Sequence, residues 1–125
     1  MASDRIVLSV PARGEYARTV RMAAAELASR MGMSIDEIDD VRIAVEESFA
    51  LAAAHASGAD VTFTFALEAG AFAATASTPS NTCGEELEEE TGSRYARFIL
   101  ESVCDEFEIR TDDGACYIRL LKRVS

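Results

Sequence analysis

A single histidine and three cysteines leave this 125-residue chain poorly equipped to hold a metal. Cys83, Cys104 and Cys116 form neither an even set nor a Cys-x-x-Cys pair, whereas structural zinc draws on four closely spaced ligands of these types. Reduced thiols are the expectation for all three, with no metal site. Cations are scarce as well, with 12 Lys and Arg against 22 Asp and Glu, a formal net charge of −10. Binding a phosphate backbone draws on clustered Lys and Arg, so nucleic acid is excluded as a partner class. A basic protein surface suits the chain better. No apolar run approaches the roughly 18 residues that a membrane span needs. The first residues also lack the basic and apolar regions of a secretory signal. The expectation is a cytoplasmic protein that makes no membrane contact.

What is present is an ordinary globular composition, 49% apolar. A chain of this length buries roughly two thirds of its unfolded surface as one unit, so a single domain over residues 1–125 is expected. No internal repeat interrupts it. Ser34 followed by Glu37 forms a capping box, and apolar side chains then recur at Ile38, Val41, Val45, Phe49 and Ala52. That spacing lays one stripe along a helix, which Gly58 ends. A first helix from Glu15 to about Met31 precedes it, with Tyr16, Val20, Ala23, Ala24, Leu27 and Met31 inward.

Alternation predicts strands over residues 4–10 and 61–68, a weaker alanine-rich strand over 71–77, and a final pair over 106–110 and 116–122. Asp113-Gly114 joins that pair as a hairpin turn. Between them a third helix is expected from about Ser93 to Cys104, with Tyr95, Phe98, Ile99, Ser102 and Val103 inward. Residues 78–92 contain Pro, Gly and five glutamates within 85–90. Loops of that length and polarity act as lids or lie solvated, so an acidic lid-like loop is expected there. The order β-α-α-β-β-loop-α-β-β implies an α+β two-layer sandwich: three helices on one face of a mostly antiparallel mixed sheet.

The second helix also carries the candidate chemistry. Glu47, Leu51 and His55 follow one another at helical steps of four, so a carboxylate and an imidazole flank a leucine. They form either a site or part of one. His55 also reads as a helix-terminal residue that interacts with the macrodipole.

The run DDVRIAVEESFALAAAHA, residues 39–56, together with the element order, resembles the anti-sigma factor serine kinases of bacteria, the RsbW and SpoIIAB kind. These belong to the superfamily of histidine-kinase-like ATPases that includes gyrase. In that family the second helix reads as an acidic residue, a hydrophobic-basic-hydrophobic trio, Ala-Val-x-Glu-x-x-x-Asn, and His four residues later. Here Asp40, Val41-Arg42-Ile43, Ala44-Val45, Glu47 and His55 match. Tyr16-Ala17-Arg18, RFILESVCDEFEI and GACYIRLLKR extend the likeness over nearly the whole chain.

The resemblance implies a histidine-kinase-like ATPase (Bergerat) fold, with ATP and Mg²⁺ as the family's cofactors. It implies Glu47 as the general base that takes a proton from an attacking hydroxyl, and Arg18 as a contact to a sigma factor or an anti-anti-sigma protein. It also implies homodimers. The chain departs from the pattern where the phosphates would be held. Leu51 stands in place of the Asn that gives Mg²⁺ an oxygen, and hydrocarbon ligates no metal. Where Asp-x-Gly-x-Gly would read adenine, the chain has STPSNT, residues 77–82, in which Thr78 offers one hydrogen bond and Pro79 removes a donor. Arg94-Tyr95-Ala96 replaces the second glycine pair, which would cradle phosphates at a helix N-terminus. Cys116 and Tyr117 lie near the position of a family threonine. The expectation is an anti-sigma-like regulator that works by protein contact over a degenerate ATP site. The alternative is an active serine kinase that phosphorylates an anti-anti-sigma partner.

Overall fold

In the computed structural model the residues described are 4–80 and 91–125, with side chains excluded at 91–93. Five strands and three helices occupy them: β1 (Asp4–Pro11), α1 (Ala17–Arg30), α2 (Ile35–Ala54), β2 (Asp60–Glu68), β3 (Ala71–Pro79), α3 (Thr91–Val103), β4 (Glu106–Asp112) and β5 (Ala115–Arg123). A single 3-10 turn at Gly14–Tyr16 leads into α1. The sheet order is β1-β2-β3-β5-β4, and all four pairings are antiparallel. The fold is the expected two-layer α+β sandwich. The anticipated mixed character is absent among the described strands, because each neighbouring pair runs antiparallel.

The period-two patterning selects the faces. Ile6, Leu8 and Val10 of β1 pair with Phe65, Phe63 and Val61 of β2, and Phe72, Ala74 and Ala76 of β3 continue the same side. Phe63, Phe65 and Phe72 are fully buried and their rings meet at 5.6 and 5.8 Å between centroids. Rings at that separation gain contact energy beyond their buried area. Val20, Ala24 and Ala28 of α1 and Val41, Val45, Phe49 and Ala52 of α2 close over this face.

The small residues on α1 let it approach α2 closely, and α2 in turn touches α3, β2, β3 and β5. The capping box forms as expected: Glu37 N–H donates to Ser34 Oγ at 3.1 Å, and Ser34 N–H donates to Glu37 Oε1 at 2.9 Å. The helix stops at Ala54, four positions before its expected end at Gly58. His55 is its C-cap, and Ser57 and Gly58 carry the chain away with φ of 47° and 86°. The β4–β5 turn also forms as expected, with both Asp113 and Gly114 at positive φ, as a two-residue type I′ hairpin requires.

α3 corrects the expected inward stripe. Tyr95 and Phe98 are each 66% exposed, and Ser102 lies outside with its hydroxyl donating to the Phe98 carbonyl. Ala96 and Leu100 face the core instead, with Val103 packed beside them. Two stripes with helical spacing run along this segment. Only the one with a small residue, Ala96 in the second turn, permits close packing on α2.

The anticipated loop also narrows at its described ends. Thr78 and Pro79 belong to β3, and Thr91 and Gly92 to α3. The acidic run 85–90 and Cys83 lie outside the described residues. Of the other cysteines, Cys104 is a free thiol and Cys116 is disulfide-bonded. The expectation of reduced thiols therefore fails at Cys116.

Candidate functional site on the second helix

The 20 residues of α2 include Ala44 and, on either side of Leu51, Ala50 and Ala52–Ala54, small side chains that let neighbouring elements crowd it. Asp40, Glu47 and Leu51 lie along one side of the helix at spacings of seven and four. Asp40, at the start of the motif, accepts a hydrogen bond from Lys122 Nζ at 2.9 Å. That ammonium also donates to the Val103 carbonyl at 3.1 Å, at the C-terminus of α3. One cation therefore ties β5 to both helices and satisfies a carbonyl that the helix end leaves open. Burial pulls the Lys122 pKa down, but the hydrogen bond and charge of Asp40 outweigh it and hold the pKa above its ordinary value.

The inference from sequence missed this ion pair. Lys122 continues the core-facing alternation of Cys116, Ile118 and Leu120, and a lysine in such a register needs a buried partner. That is the signal by which it was findable.

Glu47 is half-buried, and among the described residues no hydrogen bond or ion pair engages its carboxylate. Burial, and then the charge of adjacent Glu46, raise its pKa. Glu46 itself turns toward α1, where Arg21 Nη1 reaches it at 3.3 Å. A desolvated carboxylate held apart from cations is chemically suited to accept a proton.

One turn further on, Leu51 is 6% exposed and belongs to the central core with Phe49 and Ala52. It supplies no oxygen to any ion. His55 lies at the helix end, half-buried, with its backbone N–H on Ala52 and Ala53. Helical spacing thus sets Glu47 and Leu51 on one side as anticipated, but no interaction joins Glu47 to His55.

The segments that would hold a nucleotide are filled in a similar way. Thr78 is 2% exposed, and its hydroxyl donates to the Asp60 carbonyl at 3.0 Å. The hydrogen bond expected to be free for a base edge is therefore already made within the fold. Ala96, in the place of a phosphate-cradling glycine, is buried, with exposed Arg94 and Tyr95 before it. Among the described residues no group of three or more His, Cys, Asp or Glu is placed to hold a metal. The misfit to Mg²⁺ held in the family's manner lies at Leu51, a buried hydrocarbon side chain where the family's Asn would offer an oxygen. Arg18 is exposed on α1 and makes no ion pair among the described residues.

Residues 10–122 match the family model described as the histidine kinase-like ATPase domain. The chain belongs to that family. It is 39% identical to the serine-protein kinase RsbW of Bacillus licheniformis over 71 residues, which is 57% of this chain and 44% of that protein. It is likewise 39% identical to RsbW of Bacillus subtilis over 70 residues, 56% of this chain and 44% of that one. The chain thus spans under half the length of these relatives. Among solved structures, the RsbU and RsbW domains of a Mycobacterium tuberculosis protein superpose with a TM-score of 0.76 at 20% identity, over 97% of this chain and 32% of that one. A blue-light activated histidine kinase domain of Erythrobacter litoralis gives 0.58 at 14%, over 92% and 62%. These likenesses establish the fold: the antiparallel sheet with three helices is that of histidine kinase-like ATPases.

Proposed function

We propose that this domain is an anti-sigma-factor-like regulator in the bacterial cytoplasm that acts by protein contact and whose nucleotide site is degenerate. Its partners are a sigma factor, an anti-anti-sigma protein, or both, and Arg18 belongs to the contacting surface. Self-association into a homodimer is part of this reading. The similarity to RsbW serine-protein kinases supports the regulatory role. One observation carries the degeneracy: Leu51, at the position of the metal ligand, is built into the hydrophobic core. Titration with Mg-ATP in a calorimeter tests it. No saturable heat is expected, and micromolar Mg-dependent affinity would sink the proposal.

A second reading is an ATP-dependent serine kinase that acts on an anti-anti-sigma partner. The free, partly desolvated carboxylate of Glu47 favours it. It requires label from ATP on a partner serine and loss of that label in Glu47→Ala. Transfer that persists in the variant removes Glu47 as the base.

A further inference from the structure

The helices cover one face of the sheet. On the other face, paired positions set side chains in two neighbouring rows: Arg5, Ala66, Ala73, Leu121 and Glu106, then Val7, Thr64, Thr75, Arg119 and Glu108. Between the rows lies a depression of about 260 Å³, lined by Arg5, Thr64, Ala66, Ala73, Thr75 and Arg119, with Glu68 also on its wall. The alanines and threonines are short, so the floor is low and the two long guanidinium side chains stand over it from β1 and β5.

The charge pattern here is unusual for this chain. Although acids outnumber cations 22 to 12, Arg5 and Arg119 form no ion pair among the described residues. Their neighbours Arg110 and Arg123 are paired with Glu108 and Glu106. The hydroxyls of Thr64 and Thr75 likewise have no hydrogen-bond partner among the described residues. Two unpaired guanidiniums and two unpaired hydroxyls thus meet at one cavity, and all four can donate to an oxyanion.

We propose that this open sheet face docks an extended acidic segment of a partner protein, with its carboxylates seated on Arg5 and Arg119. The spacing favours a segment over one compact anion. β1 and β5 are three strand intervals apart, so the two Cα positions are separated by roughly 15 Å. An extended chain places same-side residues i and i+4 roughly 13 Å apart. Two carboxylates at that interval reach both guanidiniums, with the small side chains between them resting on the threonine floor. Glu68 disfavours a dianion such as phosphate more than a single carboxylate. The inference concerns the face opposite α2 and stands whether or not Glu47 transfers phosphate.

The test is fluorescence anisotropy with a labelled peptide that carries Glu at every fourth position and Thr at the others, with the same peptide carrying Gln for Glu as control. The Glu peptide binds, binding weakens as salt rises, and the Gln peptide fails to bind. Arg5→Glu and Arg119→Glu each weaken binding about fivefold and together about twentyfold. Arg42→Glu, an exposed arginine on α2, changes it less than about twofold. Thr75→Trp fills the depression, keeps both arginines and also abolishes binding, which covers the case in which charge reversal impairs folding. Absence of binding at millimolar peptide overturns the proposal, as does equal loss in Arg42→Glu. Tighter capture of a phosphoserine peptide at the same arginines also overturns it. So does conversion of a dimer to a monomer by the double reversal, since the occupant is then a second copy.

Discussion

Replacing Leu51 by Asn restores on paper the residue type that holds Mg²⁺ in the family, and it separates a filled site from an intact one. Leu51 is 6% exposed within the main core, so the change forfeits nearly the full burial of a leucine, about 2–3 kcal/mol. It also buries an amide among hydrocarbon side chains, and each donor or acceptor left unsatisfied there adds about 1–3 kcal/mol. The expected destabilisation is about 4 kcal/mol. In a domain of this size each kcal/mol shifts the midpoint by roughly 3–4 °C, so Tm falls by roughly 12–16 °C. Leu51→Ala, which leaves a cavity but buries no amide, costs about 3 kcal/mol.

Thermal unfolding followed by circular dichroism, with and without Mg-ATP, reads both quantities. Neither variant gains stability from nucleotide. A ligand at a hundred times its Kd raises stability by about 2.7 kcal/mol, which is readily seen. If Leu51→Asn melts within a few degrees of the parent and gains a Mg-dependent shift, the leucine lines a usable nucleotide site and the reasoning fails.

Three further outcomes follow from the packing and charges. Lys122→Met removes the bonds to Asp40 and the Val103 carbonyl and lowers stability by about 1–2 kcal/mol, modest because Asp40 keeps part of its surface in water. Because the folded pKa of Lys122 is raised, its contribution is present below its ordinary value of 10.5 and is lost as pH rises beyond it. Urea midpoints therefore fall more steeply in the parent than in the variant once pH passes 10.5. The Glu37 carboxylate accepts from the Ser34 N–H and from Ser125, which holds its pKa down to about 2 from an ordinary 4.5. That contribution is present above pH 4.5 and disappears as pH falls toward about 2. Glu37→Gln accordingly flattens the acid limb of a Tm-against-pH profile. On α3, Leu100→Ala costs about 3 kcal/mol, whereas Phe98→Ser changes stability by less than about 0.5 kcal/mol. Chemical denaturation of the two variants checks the corrected face of the helix.

Much of this fold was legible in local patterns. The Ser34–Glu37 box, the Asp113-Gly114 turn and the alternation in β1, β2 and β5 each report an interaction made within a few residues, so sequence reads them directly. α3 was misread because Tyr95 and Phe98 are the larger apolar side chains, and size suggests burial. Facing α2 instead required the small Ala96, a demand that comes from the neighbour. Of the candidate site, Glu47 and Leu51 were placed on one helix side by spacing alone. The pairing of Thr78 with Asp60, and of Asp40 with Lys122 across 82 residues, depends on strand register and helix packing that no local pattern encodes.

The sequence by itself determined the element order, the family and the substitution of leucine for a metal ligand, since each is a matter of residue type at a fixed spacing. Only the tertiary structure decided what that leucine does. Its burial beside Phe49 depends on the approach of α1, α3 and the sheet to α2, and packing is a property of all of them at once. The same holds on the opposite face. Arg5 and Arg119 lie 114 positions apart in the sequence, and only the order β1-β2-β3-β5 sets both over one floor of threonine and alanine.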